Sequence, residues 1–185
     1  MKGRGGLAGT AASSGVLLVG GASTRFGSPK ALALLGGETL AERAWRVLGD
    51  ACDERIAVGK TADGLELPFP LLDDGTEVRA ALAGIVAGLR AAAHDVAVVL
   101  PVDAPCMTPA ALRQLAGACR DAAVTPTGPL PGAYRKTALP LLERALAAGR
   151  LRLREALAEL DTVIVELDPA LLINVNTADE LRRLG

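Results

Sequence analysis

Residues 15–30 read G-V-L-L-V-G-G-A-S-T-R-F-G-S-P-K, from Gly15 to Lys30. Val16 to Val19 form an apolar run that breaks at Gly20-Gly21, and the stretch beyond carries two cations, Arg25 and Lys30. The run predicts a buried strand. The glycines predict a loop whose backbone N–H groups approach a ligand closely, because a residue without Cβ reaches φ > 0 and leaves room. Two cations in such a loop suit an anion, and a polyphosphate is the natural guest. Two common phosphate loops are excluded by spacing. A Walker loop requires G-x-x-x-x-G-K-[ST], whereas five residues separate Gly21 from Gly27, and Ser28 and Pro29 precede Lys30. A dinucleotide fingerprint requires G-x-G-x-x-G, which Gly20, Gly21 and Gly27 do not supply.

Outward from this stretch, strand and helix patterns alternate. Leu40, Ala44, Val47 and Leu48 share one face of a helix predicted over 39–49. Short strands are predicted over 55–58 and 69–72, then a helix over 78–93 with Leu82, Ile85, Val86 and Leu89 at helical spacing. Val96 to Leu100 is apolar throughout, as in a parallel strand buried on both faces. Thr108-Pro109 opens the next helix, with the threonine as N-cap and the proline at the first helical position. A strand over 122–125, helices over 139–148 and 151–160, a last strand over 163–167 and a closing helix over 177–184 complete the chain. This order implies an α/β fold, a single-domain doubly wound, mostly parallel sheet with helices on both faces and right-handed crossovers. The domain is expected over 15–185. Residues 1–14, with two basic residues, much Gly, Ala and Ser and no apolar segment, read as a flexible tail.

Composition narrows the function. The chain has 185 residues, enough to bury roughly 70% of its unfolded surface. Hydrophobic residues make up 50% but aromatics only 2%, so the core must be built from Ala, Leu and Val. Twenty basic and 21 acidic residues leave a net charge of −1, which gives no field for nucleic acid or an acidic membrane surface. No apolar run approaches the ~18 residues of a membrane span. Cys52, Cys106 and Cys119 form no C-x-x-C pair and read as reduced thiols of a cytoplasmic protein. His94, the single histidine, reads as an exposed residue between a helix and a strand.

Parallel sheets of this kind bind ligands outside the carboxyl ends of their strands. Three polar clusters fall there: the 20–30 loop, Asp103 in V-V-L-P-V-D-A-P, and Asn174 to Thr177 in I-N-V-N-T-A-D-E-L. A carboxylate facing a polyphosphate loop is what Mg²⁺ requires, since the ion takes one or two carboxylates and completes its octahedron with water and phosphate oxygens. Taken alone, Asp103 reads equally well as a turn residue. Thr177 and Glu180 form a capping box, which accounts for that pair as helix architecture. Asn174 and Asn176 are not explained by capping, and alone they read as turn residues.

G-G-x-x-x-R-x-G-x-x-K after an apolar strand resembles the signature of the α/β nucleotidyltransferases. It is most similar to the molybdenum cofactor guanylyltransferase family, whose pattern is close to L-A-G-G-x-x-x-R-x-G-x-D-K. Pro29 stands where that pattern has Asp. V-D-A-P resembles the family's C-D-x-P, with Val102 in place of the cysteine, and N-V-N-T-A-D-E-L resembles N-[IV]-N-T-x-E-[DE]-L. Leu82-Ala83-Gly84-Ile85 resembles the end of P-G-x-G-P-L-A-G-I, whose Gly and Pro are replaced by Arg79, Ala80 and Ala81. Asp74 falls where the family has an acidic residue near the nucleotide. Pro131-Gly132-Ala133-Tyr134-Arg135 resembles P-L-x-x-x-Y-R, after a connection several residues shorter than the family's. The resemblance spans Gly15 to Leu184.

It implies a nucleotide-diphospho-sugar transferase-like Rossmann fold and Mg²⁺-dependent transfer of GMP from GTP to the phosphate of molybdopterin, with release of pyrophosphate. In that reading Gly20, Gly21, Ala22 and Gly27 hold the nucleotide, Arg25 and Lys30 neutralise its triphosphate, and Asp103 holds the metal. Asp74, Asn174 and Asn176 complete the binding site. Arg150, Arg152 and Arg154 read either as contacts for the pterin phosphate or as a solvated helix face. The implied partners are GTP and molybdopterin, with a molybdoenzyme or cofactor-delivery protein to receive the product. A cytidylyltransferase, a sugar-phosphate nucleotidyltransferase of the same fold and a catalytically silent nucleotide-binding relative stay open, the last because of Pro29, residues 79–81 and the short connection. The doubled glycine favours GTP over CTP, because the related cytidylyltransferases usually read A-A-G there and Gly20 lacks the methyl group. With Phe26 as its main apolar anchor, the 20–30 loop is expected to order on binding nucleotide.

Overall fold

A computed structural model of the chain describes residues 11–20 and 29–184. Gly21, Ala22, Arg25 and Gly27 lie outside the described residues, and so do the expectations that rest on them, including the ordering of the loop.

The opening apolar run is a strand, β1 (Ser13–Leu18), and the helix and strand patterns downstream fold as α1 (Leu40–Ala51), β4 (Glu54–Gly59), β5 (Leu71–Asp73), α2 (Ala81–Ala91) and β6 (Val96–Pro101). The second half gives α3 (Pro109–Ala118), β7 (Ala122–Thr125), β8 (Gly128–Arg135), α4 (Leu139–Ala147), α5 (Leu153–Leu157), β9 (Thr162–Ile164) and α6 (Ala178–Arg182). A small hairpin, β2 (Leu34–Leu35) with β3 (Glu38–Thr39), precedes α1. Its turn is made by Gly36 and Gly37, both at positive φ, the conformation that a tight two-residue hairpin needs. Seven strands form one sheet in the order β5-β4-β1-β6-β8-β7-β9. All neighbours pair in parallel except β8, which runs antiparallel to both β6 and β7.

Both faces of the sheet are covered, for a reason visible in β1. Successive side chains of a strand point to opposite faces. Leu17 and Val19 accordingly join one cluster, with Leu40, Ala44 and Leu48 of α1 and Leu112 and Leu115 of α3. Val16 and Leu18 join the other, with Leu82, Ile85 and Leu89 of α2 and Leu142 of α4. All four residues are at most 6% exposed, so the unbroken apolar run is the signature of a doubly covered strand. The segment after β9 packs on the first face through Val165, Val175 and Leu181. Two glycines on one face of α2 bring that helix close to β1. A Cβ on Gly84 would lie 2.7 Å from Leu18 Cδ2, and one on Gly88 would lie 2.6 Å from Val16 Cγ1.

One expectation is corrected, and one strand is added. The tail was bounded at residue 14, but Ser13 and Ser14 belong to β1 and are buried. Hydrogen bonds offset their polarity: the Ser14 hydroxyl donates to Glu54 Oε2 at 2.5 Å, and Ser13 N donates to Asp53 Oδ2 at 3.0 Å. The added strand is β8, whose G-P-L-P-G-A-Y-R shows no strand pattern because its prolines lack the N–H that a ladder needs. Only Gly132 to Arg135 pair with β6, and the pairing with β7 is irregular at Val124/Thr125, so both prolines fall outside the regular ladder.

Candidate active site

The register pairs Leu18 with Val58 of β4 and with Pro101 of β6, so three parallel strands end level. The chain leaves each strand there as a loop, and a cleft of about 310 Å³ opens along that rim. Gly20 follows β1, Lys60 follows β4, Asp74 follows β5 and Asp103 follows β6, and all four line the cleft together with Asn174. The N-terminus of α2 borders it through Ala80 and Ala81. No side chain caps that helix end, so its positive dipole end faces the space an anion would fill.

Lys30 and Asp103 are brought together across the rim. Pro29, held at ψ 115°, turns the chain into a single 3-10 turn, Lys30–Leu32. From it Lys30 Nζ lies 3.5 Å from Asp103 Oδ2 and 3.4 Å from Asn176 Oδ1. The asparagine segment is seated beside Asp103 by its backbone, since Val175 N donates to Asp103 O at 2.8 Å and the Val175 side chain is fully buried. Asn174 and Asn176, on either side of that anchor, are exposed. Glu180 fixes the far end as a capping box and accepts the Asn176 N–H at 2.6 Å and the Thr177 N–H at 3.1 Å. Those bonds, the Asn176 N–H first among them, hold its carboxyl below the usual range.

At the other end of the cleft Lys60 donates to Asp74 Oδ1 at 2.6 Å and to the Thr76 carbonyl. The pair is deeply set, with the lysine side chain 11% exposed and the aspartate side chain 7%. Neighbouring Asp73 stabilises the same turn. Its Oδ2 accepts from the Thr61 hydroxyl at 2.7 Å and the Thr61 N–H at 2.8 Å, and its Oδ1 accepts from Gly75 N at 2.8 Å. The Thr61 hydroxyl, then the two N–H groups, bring the Asp73 carboxyl down to about 2. The outer lip is closed by Arg79, which holds Asp63 through two bonds of 2.6 and 3.1 Å. Lys60 was missed in the sequence, although a lysine directly after a buried parallel strand is the available signal.

Gly20 needs a different account from the one its sequence suggests. Its φ lies outside the left-handed region, and a Cβ built on it meets only Gly59 Cα, at 3.8 Å. The backbone would accept alanine there, and the missing methyl group leaves its space to the cleft. Other expected contacts are absent from the cleft wall. Arg150 bonds Glu159 at 2.8 Å, Arg152 approaches Glu155 at 3.4 Å and Arg154 donates to the Thr127 carbonyl at 2.9 Å, so this trio serves the local surface. In the P-G-A-Y-R motif, Tyr134 is wholly buried with its hydroxyl donating to Pro129 O at 2.6 Å. Arg135 clamps Asp95 and the Arg120 and Cys119 carbonyls, so both residues are architectural. Burial pushes the Cys52 thiol up and the Cys119 thiol to about 11, so neither is an activated nucleophile.

The donors around Asp103 fit a magnesium ion. No group of three or more His, Cys, Asp or Glu gathers among the described residues, so these residues build no all-protein cage. One carboxylate with amide oxygens beside a space for phosphate is the set Mg²⁺ accepts, and it contains none of the soft ligands that select zinc or copper. A lysine, a single metal-ready carboxylate and a helix N-terminus around one cleft are equipped to bind a polyphosphate and to stabilise charge moving between its phosphates.

The chain matches the MobA-like NTP transferase domain over residues 15–163. It is 36% identical to a probable molybdenum cofactor guanylyltransferase of Chloroflexus aggregans, covering 91% of each chain. It is 31% identical to the molybdenum cofactor guanylyltransferase of Desulfosudis oleivorans, over 92% of this chain and 93% of that one. Among solved structures it superposes on molybdopterin-guanine dinucleotide biosynthesis protein A of Archaeoglobus fulgidus with a TM-score of 0.79 at 26% identity, covering 92% and 96% of the two chains. A cytidylyltransferase of Thermus thermophilus shares the fold with a TM-score of 0.70 at 21% identity.

Proposed function

The chain belongs to the MobA-like NTP transferase family and is a nucleotidyltransferase. On that premise we propose that it is a Mg²⁺-dependent guanylyltransferase, transferring GMP from GTP to the phosphate of molybdopterin and releasing pyrophosphate. The relatives' names supply the substrates, and the observation that carries the mechanism is the meeting of Lys30, Asp103 and Asn176 at one end of a cleft that reaches Lys60 and Asp74 at the other.

A phosphate oxygen of molybdopterin attacks the α-phosphorus of GTP in line, the bond to the β-phosphate oxygen breaks, and pyrophosphate carries away the electron pair. No covalent enzyme intermediate is required, and catalysis of this kind is positioning plus charge stabilisation. Lys30 holds the triphosphate, with Arg25 of the same loop assigned the same task. Asp103 and the neighbouring asparagine oxygens would hold Mg²⁺, which supplies positive charge to the phosphate oxygens. Asn174, on the cleft wall, is assigned the task of orienting the acceptor. GTP and molybdopterin are thus the substrates, and the dinucleotide form passes to a molybdoenzyme or a delivery protein in the cytoplasm. The test is pyrophosphate release with GTP and molybdopterin over a Mg²⁺ titration. Release with CTP at an equal or higher rate, or no metal-dependent release, refutes the assignment.

A further inference from the structure

We propose that Arg43 is a positioning residue for the metal carboxylate: from the first turn of α1 it grips the loop that carries Asp103 and so fixes the spacing between Asp103 and Lys30. The inference rests on the Mg²⁺-dependent transfer proposed above and adds the residue that keeps its two charged groups in register.

The Asp103 loop has little to hold its own shape. After β6 the chain makes two tight turns, closed by Ala104 N donating to Pro101 O at 3.2 Å and Met107 N donating to Ala104 O at 3.3 Å. Both bonds are at or beyond the long end of the normal range. Other segments therefore position it. Val102 N donates to Leu18 O at 3.2 Å, Val175 N donates to Asp103 O at 2.8 Å, and Arg43 Nε donates to Pro105 O at 2.8 Å. Pro105 is buried, and no backbone N–H reaches its carbonyl among the described residues, so Arg43 supplies the partner that the backbone does not. A charged donor makes this the stronger kind of hydrogen bond.

The guanidinium is aimed from its other side. Glu38 of β3 holds Arg46 through two bonds of 3.0 and 2.9 Å, and its Oε2 lies 3.9 Å from Arg43 Nη1. Arg43 thus stands between a fixed carboxylate and the Pro105 carbonyl. Its side chain is 35% exposed, so removing the head group opens no core cavity.

The helix that carries Arg43 is the common base of both charged groups. It ends beside the start of β1, where Asp53 N donates to Ser13 O at 3.0 Å, so its first turn lies at the rim. The 3-10 turn of Lys30 packs on that helix, with Ala31 in one cluster with Leu40 and Ala41, and Leu40 N donates to Ala33 O at 2.9 Å. Lys30 is therefore referred to α1 from one side and Asp103 from the other, and the 3.5 Å between them is set through this helix. In the reaction the lysine and the metal carboxylate serve one triphosphate, and a displacement of about 1 Å in such a pair costs on the order of 10²-fold. Arg43 does not line the cleft and acts through Asp103.

The test is calorimetric binding of GTP, with and without Mg²⁺, to wild type, Arg43→Met, Asp103→Asn and the double variant, with melting temperatures for each. Arg113→Met is the control, because Arg113 Nη1 donates to Asp50 O at 2.7 Å and joins α3 to α1 at the end away from the rim. In wild type Mg²⁺ tightens GTP. Arg43→Met is expected to lose about tenfold of that tightening, while GTP without metal binds within about twofold of wild type. The double variant binds GTP with Mg²⁺ no more weakly than Asp103→Asn, and Arg113→Met keeps the full tightening. Arg43→Gln, too short to reach Pro105, replaces Arg43→Met if that variant does not fold. The inference is overturned by full Mg²⁺ tightening in the Arg43 variant, by an equal loss with and without metal, by a further loss in the double variant, or by the same loss in Arg113→Met. GTP binding by wild type with no effect of Mg²⁺ refutes the proposed function itself. Mg²⁺ tightening in wild type with an unaffected Arg43 variant removes only the role of Arg43.

Discussion

Replacing Asp103 with Asn separates metal binding from architecture at the centre of the site. The change keeps the side-chain shape and the backbone carbonyl that accepts Val175 N at 2.8 Å, so the seating of the asparagine segment survives. What it removes is one negative charge, paired with Lys30 at 3.5 Å in a setting where the two side chains are 14% and 30% exposed. A long, partly solvated ion pair contributes at most about 1 kcal/mol to folding. For a chain of this length that corresponds to a melting temperature lowered by no more than about 2–4 °C. The catalytic loss should be much larger. Removing one charge-stabilising group at a reacting centre costs roughly 10²-fold or more, about 2.7 kcal/mol of transition-state stabilisation. GTP binding falls only modestly, because Lys30 and the rest of the cleft wall remain. The assay is pyrophosphate release by wild type and Asp103→Asn over a Mg²⁺ titration, with melting curves for both. A turn aspartate would be replaced by Asn without penalty. Wild-type turnover in Asp103→Asn, or a loss matched by unfolding at the assay temperature, refutes the role of Asp103 as the metal ligand.

Gly20→Ala should melt within about 1–2 °C of wild type, because its Cβ meets only Gly59 Cα at 3.8 Å, yet it should weaken GTP relative to CTP by narrowing the cleft; calorimetry with both nucleotides measures this, and an unchanged ratio removes Gly20 from base selection. Gly88→Ala forces a Cβ to 2.6 Å from Val16 Cγ1 in a fully buried contact, so an overpacking cost of about 1–3 kcal/mol should outweigh the gain in helix propensity and lower the melting temperature with the metal dependence unchanged. The Asp73 carboxyl titrates near 2 when folded, below its unfolded value of about 3.9, so its stabilisation is complete above pH 4 and is lost as the pH falls through about 2. Asp73→Asn should therefore flatten the acid limb of the melting temperature between about pH 4 and pH 2, and an identical limb in both proteins would count against the Thr61–Asp73 bonds.

The alternation of strands and helices was legible in the residues because each element is specified over a few neighbours. An apolar run such as Val16 to Val19 must be covered on both sides, and Leu82, Ile85 and Leu89 return to one face every turn of a helix. Capping is equally local, so Thr108, Thr177 and Glu180 stand in the structure where their spacing predicts. The carboxyl-edge position of Lys30, Asp103, Asn174 and Asn176 followed from the same periodicities. Their meeting did not, because Lys30 reaches Asp103 and Asn176 across 73 and 146 residues of chain, a distance that only the sheet order and register close. The same cause hid β8, whose prolines deny it a strand pattern and whose place between β6 and β7 is granted by the ladder of Gly132 to Arg135. It also hid Lys60, an ordinary lysine in sequence, which becomes a deeply set cation because parallel pairing sets Gly59 against Asp73 and so brings Asp74 within its reach. Local chemistry decided which elements form, and the pairing of distant strands decided which side chains share the cleft.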